Sequence, residues 1–233
     1  MTPAPKRVAI VQSSYIPWKG YFDLIRSVDE FILFDDAQFT KRDWRSRNRI
    51  KTAQGAIWLT VPVSTKGKYL QAIKDTEISD PAWSRSHWQS IATHYARAPF
   101  FSSYKAALEE LYRGCTATHL SLVNRRLIEG LCSLLGITTK LSWSMDYTVV
   151  PGKTERLLSL CQQAGATAYL SGSSARDYLD AGVFAAAGIG VTFTDYAGYP
   201  EYPQIHPPFD HHVSVIDLLV NAGPEAVSFM VRQ

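Results

Sequence analysis

Two apolar runs of strand length, Val8-Ala-Ile-Val11 and Phe31-Ile-Leu-Phe34, each break off into polar residues, and a helix-length stretch lies between them. No other feature of the chain constrains its fold as tightly. Runs of four β-branched, aliphatic and aromatic residues suit strands covered on both faces, and Gly20 to Val28 has the apolar spacing of a helix. Strand, helix, strand in that order begins a βαβ unit, whose two strands run parallel. In open parallel sheets, ligands bind beyond the carboxyl ends of the strands, where loops present polar groups on a rigid support. Both polar breaks, the turn from Gln12 to Trp18 and the Asp35-Asp36 pair, would therefore meet in one crevice.

The alternation continues beyond this unit. Residues 57–63 read as a third strand. Pro81 then heads a helix that carries Trp83, His87, Ile91 and Tyr95 at four-residue spacing and stops at Pro99. Helices are expected from Phe101 to Tyr112 and from Thr118 to Leu135, a strand over 137–143, and a helix from Gly152 to about Ala164 that Gly165 closes in a left-handed cap. Tyr169 to Gly172 reads as strand into turn, 175–187 as helix, Val191 to Phe193 as strand, and Val213 to Val220 and Pro224 to Val231 as closing helices. The expected fold is α/β, a Rossmann-like parallel sheet with flanking helices and a mostly helical middle lobe. With no repeat, low-complexity tract or linker, one domain over 1–233 is expected, with a helical insertion or lobe at about 81–136.

A chain of 233 residues with 46% hydrophobic and 19% charged content is long enough to bury one sizeable core. Its longest apolar stretches fall far short of the roughly 20 residues a membrane span requires, so no span is expected. Met-Thr-Pro-Ala-Pro-Lys-Arg precedes only four apolar residues, too few for a signal peptide, and a cytoplasmic location is expected. Cys115, Cys132 and Cys161 are too widely separated for a disulfide framework or a zinc pattern. A reducing compartment fits them, and Cys132 and Cys161 lie in helical apolar patterns where an inert thiol is the ordinary outcome.

Charge is unevenly distributed. Residues 1–156 carry 22 Lys or Arg against 14 Asp or Glu, whereas residues 157–233 carry two against seven. Lys41, Arg42, Arg45, Arg47, Arg49 and Lys51 fall close together around Trp44, opposed only by Asp43. A nucleotide's phosphates, an RNA backbone or an acidic membrane surface could use that run, and so could a plain solvated loop. The planar fork of arginine favours a discrete anion. RNA is a weak reading, because a single basic run without stacking platforms is a weak signal.

Other residues carry paired readings. Free N–H groups at the start of the first helix favour an anion, and Gly20 permits close backbone approach. Neighbours at the end of a strand point to opposite faces, so only one of Asp35 and Asp36 should enter the crevice, either to touch ligand or to pair with Arg47 or Arg49. Gln38, on a loop, reads as a ligand contact. Thr154 and Glu155 suit a helix cap as well as a site, with Arg156 beside them and the Ser171-Gly172-Ser173-Ser174 turn downstream able to hold a phosphate or sugar. This is not a P-loop, since Tyr147 stands where its first glycine would be. His206, His211 and His212 lie near Asp210, but a loop dense in proline supplies no spacing that converges ligands, so no metal is expected. His87 is either a core residue or a pocket base. Tyr202 and Gln204 are either ligand contacts or packing.

The chain also resembles the WbqC-like protein family. The resemblance rests on Gln12-x-x-Tyr15-x-Pro17-Trp18-x-Gly20-Tyr21-Phe22, Asp35-Asp36-x-Gln38-Phe39 and Arg47-Asn48-Arg49-Ile50. Further pieces are Trp58-Leu-Thr-Val-Pro62, Thr154-Glu155-Arg156, Tyr169-Leu-Ser171-Gly172, Tyr178-Leu-Asp180, Tyr202-x-Gln204 and Ile216-Asp217. It implies a role in assembling bacterial surface polysaccharide such as O-antigen, some members being described as glycine transferases acting on an amino sugar. The first strand-to-helix turn is also similar to that of nucleotide-transferring proteins, but Trp18-Lys19-Gly20-Tyr21 replaces their His-x-Gly-His element, with Lys19 as the remaining positive charge. The resulting expectation is an acyl transferase, aminoacyl and including glycyl, whose acceptor is a nucleotide-linked or lipid-linked amino sugar. His87 or one of Asp35 and Asp36 would deprotonate the amine, Arg45, Arg47 and Arg49 would hold the donor or acceptor phosphates, Gln12, Tyr15 and Trp18 would shape the pocket, and Tyr21 and Asn48 are further substrate contacts. Its donor stays open among an amino acid with ATP, a carrier-bound thioester and a charged tRNA. A non-catalytic nucleotide-sugar binding subunit is the alternative.

Overall fold

A computed structural model describes residues 5–177 and 179–231. The apolar runs form β1 (Arg7–Val11) and β2 (Glu30–Leu33), joined by α1 (Lys19–Arg26). A hairpin of β3 (Arg47–Thr52) and β4 (Gly55–Thr60) follows, then three helices, α2 (Trp83–Tyr95), α3 (Phe101–Arg113) and α4 (Leu120–Leu134). The strand-helix rhythm resumes with β5 (Lys140–Trp143), α5 (Thr154–Gln163), β6 (Ala168–Ser171), α6 (Ala181–Ala186) and β7 (Gly190–Phe193), and α7 (Val215–Ala222) comes last.

Five strands form one parallel sheet in the order β5-β2-β1-β6-β7. Successive residues of β1 and β2 enter different cores. Val8, Ile10 and Ile32 pack with Leu157, Leu160 and Phe184 of α5 and α6. Ala9, Phe31 and Leu33 pack with α1, the middle helices and α7. Covering both faces removes the polar alternation of a half-exposed sheet and explains why these strands read as continuous apolar runs. The chain steps outward from β1 to β2 and β5, then returns to the far side of β1 with β6 and β7. The strand order thus reverses between β1 and β6, which opens a crevice at that point.

Three stretches differ from the sequence reading. Arg47 to Lys51, read as loop, is a strand paired antiparallel with β4, with Arg49 opposite Trp58. Asn48, Ile50 and Thr52 turn inward while Arg47 and Arg49 are only partly covered. The expected helix over 175–187 is interrupted, because Asp180 starts a new helix by accepting a hydrogen bond from the Gly182 N–H. The tail after α7 is a 3-10 helix, Gly223–Phe229, with proline in its first turn. Gly165 does close α5 with φ 69°. Among the described residues, no helix is long and apolar enough to cross a membrane.

Candidate functional site

The segment from Gln12 to Trp18 leaves β1 and is held chiefly through its backbone. Arg45 donates to the carbonyls of Gln12 and Ser13 at 2.9 and 3.2 Å, and Asn48 to those of Tyr15 and Ile16 at 3.2 and 2.9 Å. Ile16 has φ 35°, an unfavourable value for a β-branched residue that the Asn48 bonds help to hold. Asp35, fully buried, accepts from the Ser13 N–H at 2.8 Å and from the Ser121 hydroxyl. Burial pushes its carboxyl up, against the opposing pull of Ser121, Ser13 and Arg45. Asp35 therefore acts as a bracket for the loop.

Three cavities adjoin along the carboxyl ends of the strands. The first, about 230 Å³, is bounded by Ser14, Pro17, Trp18, Tyr21, Trp44 and Arg45, with Val11, Asn48 and His212 completing the wall. Gly20 shapes it: a Cβ there would lie 2.3 Å from the Trp18 indole, so only glycine lets that ring fold back over the start of α1. Tyr21 donates to the Gln12 carbonyl at 3.1 Å. The second cavity, about 390 Å³, occupies the strand-order reversal and shares Val11 with the first. Gln12, Lys153, Arg156, Ser171 and Gly172 line it, Lys153 being the N-cap residue of α5 and making no side-chain capping bond. The third, about 340 Å³, lies on the hairpin among Arg42, Arg47, Arg49 and Trp58, and shares Trp44 and His212 with the first.

Asp36 has a positioning task in the second cavity. It pairs with Arg156 and accepts from the Ser144 hydroxyl, and the Arg156 guanidinium lies 4.8 Å from the Phe34 ring centroid. The Nε of Arg156 is buried without a hydrogen-bond partner, as is that of Arg47 in the third cavity. Between the first and third cavities, His212 Nδ1 stands 3.4 Å from Asp210, whose other oxygen is 3.5 Å from Arg49. Arg49 also donates to the His212 carbonyl at 2.9 Å.

Other singled-out residues are placed elsewhere. His87 Nδ1 and the Tyr15 hydroxyl are 2.7 Å apart, and Tyr15 and Tyr112 share a 2.9 Å hydrogen bond, all three being buried. Burial lowers His87 to about 4, against a backbone bond with Thr60, so it is neutral at neutral pH. None of the three lines these cavities. Lys19 is buried against Tyr199, Tyr202 and Phe209, donates to the Pro200 carbonyl at 2.6 Å, and is lowered to about 8 by burial, Asp23 and Glu201 opposing. Tyr202 and Gln204 donate to buried Asp217 at 2.8 and 2.9 Å, and Gln38 donates to the Tyr69 carbonyl. Thr154 and Glu155 stand in the first turn of α5, outside the cavity lining. The side chain of Ser174 and all of Tyr178 lie outside the described residues. Burial raises the thiols of Cys115 to about 11 and of Cys132 and Cys161 to about 12, which leaves them as unreactive packing. Among the described residues, no group of three or more His, Cys, Asp or Glu gathers as a metal site.

Sequence reasoning did not assign Ser14, Pro17, Trp44, Lys153 or His212 to the cavity walls. Trp44 amid the basic run and the Asp210-His212 spacing were the available signals. The chain is 52% identical over 225 residues to the uncharacterized protein Rv1507c of Mycobacterium tuberculosis, covering 97% of each chain. No solved structure matches it. The profile of the WbqC-like protein family matches residues 12–229, nearly the full length and every cavity-lining segment from Gln12 onward, and the chain belongs to that family.

Proposed function

We propose that the protein transfers an acyl group, aminoacyl and glycyl foremost, to the amine of a nucleotide-linked amino sugar during assembly of bacterial surface polysaccharide. The observation that carries this reading is the continuity of the crevice. A cationic end, with Lys153 and Arg156 beside the start of α5, adjoins an aromatic pocket formed by Trp18, Tyr21 and Trp44. Phosphates suit the first and a sugar ring the second. The acceptor nitrogen attacks the acyl carbonyl, the C–N bond forms, the donor's oxygen or sulfur leaves with its bonding pair, and a proton from nitrogen passes to a base. His212 is the one histidine in the walls of these three cavities, with Asp210 to orient it, and we assign it that role.

The test is mass spectrometry of the purified protein with a nucleotide-linked amino sugar, glycine and ATP, or with a charged RNA in place of the last two. A mass gain of one glycyl group, abolished by His212→Gln while sugar-nucleotide binding persists, is expected. Lys153→Ala should weaken that binding by about 10-fold, the scale of one charge-assisted hydrogen bond. Retention of the product by His212→Gln would remove the base assignment. A second reading, a binding subunit without turnover, is favoured by the burial of Asp35 and His87 in internal hydrogen bonds. Sugar-nucleotide binding with no product from any donor would select it.

A further inference from the structure

The hairpin face is larger and more aromatic than an acceptor site requires. Trp44 and Trp58 are 41% and 45% exposed, unusual for indoles, and their ring centroids are 5.4 Å apart. The Arg47 guanidinium sits 4.1 Å from the Trp58 centroid and Arg49 5.7 Å. These groups wall a cavity of about 340 Å³, roomy enough for a nucleotide. Read as sequence, the basic run lacked a stacking platform. Folding supplies one, because β4 brings Trp58 across from Arg49 and beside Trp44.

Resting on the reading above, we infer that this face is the donor site and that the donor's activated acyl group is carried on adenosine. The base would stack on the tryptophans and the adjoining phosphate would meet Arg42, Arg47 and Arg49, the combination by which unpaired nucleotides are held. A carrier-bound thioester has no ring at the end of its arm and leaves both indoles unused. Two donors share the chemistry, an acyl adenylate and an aminoacyl ester at the 3′ end of an RNA. In either, nitrogen of the acceptor bonds to the acyl carbon, the bond from that carbon to a phosphate or ribose oxygen breaks, oxygen keeps the electron pair, and the amine proton goes to His212. His212 and Trp44 belong to the walls of both cavities, so the acyl carbon of a donor on the hairpin would lie next to the acceptor pocket.

Isothermal titration of the full chain with AMP, ATP and a short single-stranded RNA ending in adenosine tests this inference. Wild type should bind an adenine ligand, Trp58→Ala should weaken it by about 10-fold, and Arg47→Ala should weaken it and flatten its salt dependence. Trp58→Phe, which keeps a ring, should retain most of the affinity and controls for misfolding. RNA binding well above AMP assigns the ester donor; equal binding assigns the adenylate. Absence of adenine binding at millimolar ligand, or binding that Trp58→Ala and Arg47→Ala both leave unchanged, overturns the proposal. Sugar-nucleotide titration of the same variants separates the two readings, since Lys153→Ala and not Trp58→Ala should weaken it.

Discussion

Two neighbourhoods of this molecule in which aromatic rings and charged groups meet have different surroundings. Behind the sheet, Tyr95, Tyr202 and Gln204 all donate to Asp217, and Lys51 reaches Gln204 at 3.1 Å. Beside that network, Tyr15, His87 and Tyr112 form a closed chain. Along the crevice and the hairpin, Arg47, Arg156 and His212 are partly or largely exposed and line the cavity walls. Buried polar groups satisfied by one another specify a structure, whereas charged groups that keep solvent contact at a cavity wall stay available to a ligand. The same residue types therefore serve stability in one place and recognition in the other.

The strongest challenge to this contrast is Asp217→Ala, which strands the buried hydroxyls of Tyr95 and Tyr202. It should cost about 3 to 5 kcal/mol in urea unfolding. A loss below about 1 kcal/mol would dissolve the distinction, because the inner network would then be no more structural than the crevice. His87 comes next. Its folded value of about 4 lies below its ordinary 6.5, so the unfolded chain takes up the proton first and stability falls as pH drops from about 6.5 toward 4. The difference is on the order of 3 kcal/mol. Unfolding of wild type and His87→Gln at successive pH values should show a steeper decline for wild type, and parallel curves would deny His87 its buried neutral state. The mildest is Gly20→Ala, whose methyl displaces the Trp18 ring. About 1 to 2 kcal/mol of stability should be lost, with a shift in tryptophan emission; an unchanged spectrum would show that the ring does not depend on that glycine.

How much of this was readable depends on what each residue faces. β1, β2 and β6 were legible because short strands of a two-sided core are apolar almost throughout, and the α/β class followed. β3 was not, since its outward Arg47 and Arg49 give it the composition of a solvated loop and only Ile50 among its inward residues is apolar. Within the site, Gln12, Trp18, Arg45, Arg156, Ser171 and Gly172 were named from sequence and line the cavities. Gln38, Tyr202 and Gln204 have the same polarity but hydrogen-bond to the protein itself, a difference that lies in partners far along the chain. His87 carried both a core and a pocket reading until Tyr15, 72 residues away, was placed against it. His212 escaped for the converse reason, because nothing near it in sequence announces the Trp44 wall it shares.

Arg45 and Asn48 grip the loop after β1 by carbonyl oxygens, at Gln12, Ser13, Tyr15 and Ile16. Every amino acid offers that atom. The frame is thus indifferent to most side chains it supports, and the bonds from Arg45 and Asn48 do not depend on which residue stands at position 14. A substitution in such a loop can therefore reshape the wall of the first cavity while the bonds that hold the loop stay in place.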